Sequence, residues 1–258
     1  MLQFTPIPAY SDNYIWLIGS TSGPEVAVVD PGEAQPVLAA IGDRGLRLAA
    51  VLLTHHHGDH VGGVEEILAH HPVPVFGPAR ESIAGVDQPV HADEIVALPG
   101  LDLYLRVVDV PGHTAGHVAY AGPDFACVGD TVFAGGCGRV FEGTMEQMHA
   151  SVTRLAALPP ETLLYCAHEY TLANLRFALV VEPDNRALQR RFEEATALRA
   201  DTLPTVPSVL ADELATNPFL RCDRPQVAAA AEARAGRPLR SAAEVFAVVR
   251  RWKDSWRG

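Results

Sequence analysis

The sequence predicts an α/β fold in two parts: a strand-rich segment over residues 1–170 and a helical segment over residues 171–258. Up to His168, short runs rich in Val, Ile and Leu recur between Gly, Pro and Asp turns, the pattern of strands with a few helices between them. From Leu172 onward helix-type segments dominate, and Pro204, Pro207 and Pro218 interrupt them. A third observation marks where the chain is organised. Thr54 to His60 (Thr-His-His-His-Gly-Asp-His) stands directly after one apolar run and directly before a helical pattern.

In order, Asn13 to Ile18 and Val26 to Asp30 read as strands, and Asp30-Pro31-Gly32 closes the second with a turn. Pro36 to Ile41 reads as a helix. Leu48 to Thr54 is an apolar strand that feeds the histidine cluster, and Val64, Ile67 and Leu68 set a helix from about Asp59 to His70. Val73 to Phe76 resumes strand character, and Leu101 to Val110 alternates as a half-buried strand should. Val118 to Tyr120 and Phe125 to Val128 form a hairpin around Gly122-Pro123-Asp124. Thr144 is placed to cap a helix from Met145 to Leu158, and Leu163 to Cys166 is the last strand. The second part holds helices from Leu172 to Val181, from Asn185 to Arg199 with Asp184 as cap, from Val227 to Ala235, and from Ser241 to Trp252. Ser241-Ala242-Ala243-Glu244 there has the form of a capping box.

Composition excludes several classes. A formal net charge of -11 argues against a nucleic-acid ligand, which asks for a basic surface. No window of about 18 apolar residues suggests a membrane span, and the N-terminus lacks a secretory signal. Cys127, Cys137, Cys166 and Cys222 form no short-spaced pair, which fits a reducing compartment. The expectation is therefore a soluble cytoplasmic chain. Charge is unevenly spread: residues 219–258 carry nine Lys or Arg against four acids, while residues 1–218 carry eleven against twenty-seven. A basic C-terminus on an acidic protein is either a solvated helix face or a place to capture an anionic small molecule.

The cluster supplies His55, His57, Asp59 and His60 within six residues, imidazoles and a carboxylate that suit zinc or iron. On a strand-like approach His55 and His57 point the same way and His56 points away. Three further residues of ligand type stand at strand ends: His113 in Pro-Gly-His-Thr-Ala-Gly-His, Asp130 in Val-Gly-Asp-Thr, and His168 in Cys-Ala-His-Glu-Tyr. Four such strand ends in one chain point to a metal site.

These residues resemble the metallo-β-lactamase superfamily, and within it the chain resembles the hydroxyacylglutathione hydrolase (glyoxalase II) family. The narrower resemblance rests on Gly135-Gly136-Cys137-Gly138-Arg139, Phe141-Glu142-Gly143-Thr144, His168-Glu169-Tyr170-Thr171, Asn174-Leu175-Arg176-Phe177-Ala178, Glu182-Pro183 and Thr216-Asn217-Pro218-Phe219-Leu220-Arg221. It implies an αββα sandwich, two β-sheets flanked by helices, as catalytic domain over residues 1–170. A glutathione-binding helical domain would follow over residues 171–258. It also implies two divalent metal ions per chain, zinc first, with iron or manganese compatible. His55, His57 and His113 would hold one, Asp59, His60 and His168 the other, and Asp130 would join them.

The implied reaction is hydrolysis of S-D-lactoylglutathione by a hydroxide shared between the metals, with Asp59 as a proton acceptor. A thiolate of pKa about 8.5 leaves without a strong general acid. The family's glutathione contacts fall on Arg139, Tyr170, Arg250 and Lys253. Arg139 stands where many relatives carry Lys, and Phe141 where some carry Tyr. Arg250 and Lys253, three residues apart, would share a helix face. His117, Asp30 and Thr131 are candidates for orienting the ligands; His56, His70, His71, His91 and His149 are left as surface or core residues. The expected partner is a glutathione thioester as the substrate of a monomer, with neither nucleic acid nor membrane. The rival readings are a persulfide dioxygenase, which uses the same sandwich with a single iron, and a non-catalytic glutathione-binding or metal-binding module.

Overall fold

The computed structural model describes residues 1–21 and 23–257; Gly258, last residue of the expected helical domain, lies outside them. By their contacts these residues form two units, Met1–Asp109 with Thr114–Gly129, and Val110–His113 with Asp130–Gly258. Residues 130–168 thus group with the helices that follow them.

The first unit contains β1 (Leu2–Ala9), β2 (Asn13–Ser20), β3 (Gly23–Val29), α1 (Ala34–Arg44), β4 (Arg47–Leu52), α2 (Gly58–Val61), α3 (Val64–His70), β5 (Val75–Pro78), β6 (Gln88–Val90), β7 (Ile95–Leu98), β8 (Leu103–Asp109), β9 (Val118–Ala121) and β10 (Phe125–Gly129). β1 to β6 lie in sequence order in one sheet, antiparallel from β1 to β3 and parallel from β3 to β6. β7 to β10 form an antiparallel meander. One face of the first sheet packs through Val28, Val51 and Val75 against Val37 and Ile41 of α1 and Val64 and Ile67 of α3. Its other face meets the meander: Phe4 and Phe125 cross edge to face at 4.6 Å, and the Tyr120 hydroxyl donates to the Leu53 carbonyl at 2.9 Å. A helix layer on a sheet on a sheet follows from strands apolar on both faces.

The helix expected from Asp59 to His70 is two. α2 ends at Val61 and α3 starts at Val64, with Gly62 and Gly63 between them. A Cβ on Gly63 would sit 2.6 Å from the Ala34 nitrogen and 2.7 Å from the Pro31 carbonyl oxygen, so the break lets two turns approach where only glycine fits.

The second unit contains β11 (Val132–Phe133), β12 (Gly136–Cys137), α4 (Met145–Ala156), β13 (Leu163–Cys166), α5 (Thr171–Val181), α6 (Arg186–Ala200), β14 (Ser208–Val209), α7 (Leu210–Thr216), α8 (Pro225–Ala235) and α9 (Ala242–Ser255). Thr144 caps α4 in a full capping box with Gln147. Two expected caps differ. α6 is capped by Asn185, whose side chain accepts from the Leu188 N–H, rather than by Asp184. At α9 Ser241 accepts from the Glu244 N–H, but the Glu244 carboxylate accepts from the Arg240 N–H and Arg237 instead of closing the box. Buried charge ties the helices together: Arg221 makes two bonds to Glu182, and Arg191 pairs with the fully buried Glu213.

Candidate metal centre and substrate cavity

In the first unit, β4 delivers the chain into Thr54 and His55, both fully buried, and His57 caps α2, on which Asp59 and His60 lie. Asp30 organises this group. It sits at φ 51, an unfavourable conformation for a residue with a Cβ, and its carboxylate is the hub of three bonds. It accepts from the Thr54 N–H at 2.8 Å and the Thr54 hydroxyl at 2.7 Å, and it meets His60 Nδ1 at 3.0 Å.

These bonds fix which nitrogen of each ring carries a lone pair. Thr54 gives its only proton to Asp30, so its oxygen accepts from His55 Nδ1 at 3.0 Å, which makes Nε2 the lone-pair nitrogen of His55. His60 Nδ1 donates to Asp30, so its Nε2, 3.5 Å from Asp59 Oδ2, is likewise the lone-pair nitrogen. His55 Nε2 and His57 Nδ1 face one another at 3.1 Å, and His117 stacks on His55 at 4.6 Å. Asn13 donates through Nδ2 to Asp59 Oδ2 at 3.0 Å and to its carbonyl at 3.4 Å, holding a side chain that is otherwise 41% exposed.

In the second unit His113, Asp130 and His168 come together. Asp130 Oδ2 lies 3.4 Å from His113 Nε2, and Asp130 Oδ1 lies 3.4 Å from His168 Nε2. One carboxylate thus presents an oxygen to each of two imidazoles, the arrangement by which a single Asp can join two cations. His113 Nδ1 donates to the Arg139 carbonyl at 2.9 Å, which again leaves Nε2 as the lone-pair nitrogen. Gly138 permits the approach, since a Cβ there would fall 1.9 Å from the Asp130 carbonyl oxygen. The donor set of imidazoles and carboxylates with tautomers fixed from behind suits divalent zinc, iron or manganese. Thr131 is fully buried beside Asp130, yet its hydroxyl has no hydrogen-bond partner among the described residues.

The same unit holds a cavity of about 380 Å³ lined by His113, Asp130, Phe133, Cys137, Arg139, Phe141, Tyr170, Ala173, Asn174, Arg250 and Lys253. All four residues expected to hold substrate are on its wall. Tyr170 stacks on His168 at 4.7 Å. Arg250 is 3% exposed and donates to the Cys137 carbonyl at 2.8 Å and to Asp254 at 3.0 Å; Arg139, well exposed, lies 3.9 Å from the same Asp254. Lys253 donates to the Ala173 carbonyl at 2.9 Å and lies over the Phe177 and Trp256 rings. Burial, and then the neighbouring Arg250, hold the Lys253 ammonium down to about 8. Burial pushes the Cys137 thiol up to about 11, against the pull of Arg250, so it is a poor nucleophile.

Sequence reasoning missed Asn13, Thr54 as a relay and Glu81, which braces His56 at 2.8 Å. None carries a local signal, because each acts across the fold.

Residues 11–168 match the metallo-β-lactamase superfamily, and residues 169–256 match the hydroxyacylglutathione hydrolase C-terminus. A hydroxyacylglutathione hydrolase of Alkalilimnicola ehrlichii is 58% identical over 98% of this chain and 99% of its own. One of Halorhodospira halophila is 54% identical over 99% of this chain and 100% of its own. Among solved structures, the B3 metallo-β-lactamase BLEG-1 superposes with a TM-score of 0.63 at 20% identity, covering 85% of this chain and 99% of that one, a likeness of fold. With both segments matched and relatives more than half identical along nearly their whole length, the chain belongs to the hydroxyacylglutathione hydrolase family of the metallo-β-lactamase superfamily.

Proposed function

We propose that this chain is the thioesterase that converts S-D-lactoylglutathione and related 2-hydroxyacylglutathiones to glutathione and the hydroxy acid, D-lactate in the first case, the second step of methylglyoxal detoxification. The observation that carries the reading is the cavity of the second unit, where ligand-type His113 and Asp130 share a wall with the cations Arg139, Arg250 and Lys253. A substrate with carboxylates at one end and an electrophilic carbonyl at the other matches that distribution.

His55, His57 and His113 would hold one cation, Asp59, His60 and His168 a second, and Asp130 would serve both. The ring tautomers fixed at His55, His60 and His113 support a ligand role for each of these residues. Two divalent cations bound there supply Lewis-acid polarisation of a carbonyl and draw the pKa of water from 15.7 toward about 7. Asp59, held by Asn13, accepts the proton of the attacking water. Arg139, Arg250 and Lys253 take the glutathione carboxylates, and Tyr170 lines the path between them and His168. The departing thiolate needs no proton donor. In this reading residues 1–170 are the catalytic domain and residues 171–258 the glutathione-binding helices, with zinc as the working metal and iron or manganese compatible with the same donors.

The working form in this reading is a cytoplasmic monomer that binds neither nucleic acid nor membrane. The net charge of -11 supports the first exclusion, and no helix among the described residues is long and apolar enough to cross a bilayer. Thiol release from S-D-lactoylglutathione tests the proposal. Release that depends on bound metal supports it; no release, with oxygen uptake on glutathione persulfide instead, would replace it with a dioxygenase.

A further inference from the structure

We propose that Glu81, which follows β5 and belongs to none of the recognised motifs, is a positioning residue for the metal centre. The inference rests on the ligand assignment above. Its carboxylate is buried, with 3% of the side chain exposed, yet no Lys or Arg among the described residues pairs with it. One oxygen, Oε2, meets His56 Nδ1 at 2.8 Å. The other accepts from the Gly116 N–H at 3.1 Å and from the Thr114 hydroxyl. A single side chain therefore grips two stretches of the first unit that lie far apart in sequence. His56 is the residue between His55 and His57, and Thr114 to Gly116 is the stretch that directly follows His113 and leads into His117.

Burying a carboxylate costs several kcal/mol unless its lone pairs are filled, so this one persists because all of its partners are in place. Gly116 is part of the arrangement. A Cβ there would lie 2.5 Å from Glu81 Cγ, so glycine is what lets the carboxylate reach the backbone N–H. The His56 ring meets the His57 ring edge to face at 5.1 Å, and its bond to Glu81 fixes the backbone between His55 and His57. Outer partners that orient ligands typically change metal affinity by about 10–100-fold when removed.

The test is metal retention, measured on the metal-loaded full chain as the rate at which excess chelator strips the ions, with the melting temperature of each apo form as the control for folding. Glu81→Ala should lose metal at least about tenfold faster than the unsubstituted protein. Glu81→Gln, which keeps an acceptor for Gly116 and Thr114 and a polar contact to His56, should restore retention to within about threefold. His56→Ala removes one arm at a side chain that is 35% exposed and so leaves folding intact; it should also speed the loss severalfold, and it carries the test if Glu81→Ala does not fold. Wild-type stripping rates in Glu81→Ala or His56→Ala, or Glu81→Gln as leaky as Glu81→Ala, would overturn the proposal. Unsubstituted protein that binds no metal would instead sink the ligand assignment on which it rests.

Discussion

Asp59 shows how little of a residue's role lies in the residue alone. Its carboxylate is half exposed, and a bond from Asn13, 46 positions earlier, holds it. Asp59→Asn keeps the shape but loses the charge that the proposed function uses to bind a cation and take a proton. It should lower kcat by at least about a hundredfold, within the usual range for general acid–base groups. A variant with full metal and full rate would remove Asp59 from the chemistry. Lys253 carries the pH dependence. Its ammonium is charged below about 8 and neutral above, because burial and Arg250 disfavour the cation. Attraction for a carboxylate is therefore present below pH 8 and lost as pH rises through it, so KM should climb across that range. In Lys253→Ala the climb should flatten. For stability the sign is opposite: the unfolded chain binds the extra proton between about 8 and 10.5, so folding gains with pH there.

The candidate ligand residues were legible in the sequence, because His-x-His-x-Asp-His is local and Asp130, His113 and His168 stand at visible strand ends. Their supports were not. Asn13 reaches Asp59 and Glu81 reaches Thr114 only after the chain has folded, and a lone Asn or Glu has many ordinary uses.

At the scale of elements, long patterns were readable and short ones were not. β8 alternates in burial as its sequence does, and α4 and α9 carry clear apolar stripes with Ser or Thr caps. β6, three residues including a Pro, and α7, seven residues, are too short for periodicity to register. The twofold break at Gly62-Gly63 was hidden because Val64 and Ile67 keep helical spacing past it. The tight turn from β11 to β12 is held from outside by polar side chains: Asn217 donates to the Phe133 and Gly136 carbonyls, Asn174 donates to the Ala134 carbonyl, and Glu213 accepts from the Gly135 N–H. That turn delivers Cys137, whose carbonyl holds Arg250. Glu213→Ala would leave Arg191 without its counter-charge and the Gly135 N–H unpaired. It should cost about 3–5 kcal/mol in denaturant unfolding. A loss under about 1 kcal/mol would show that the pair is not what holds the turn.

At the scale of the molecule, the fold class and the change from strands to helices were legible because composition shifts near residue 170. The grouping of residues 130–168 with the helices was not, since it depends on Glu213, Asn217 and Asn174 reaching back to a hairpin some 40–80 positions earlier. Three cations of the acidic chain, Arg139, Arg250 and Lys253, gather on one cavity wall, with Asp254 between the two arginines. The most direct measurement is metal content per chain set against thiol release from S-D-lactoylglutathione, as metal is stripped and then restored. The account predicts two ions per chain at full rate and a rate that falls with their removal and returns with them. Full activity in exhaustively chelated protein would contradict it.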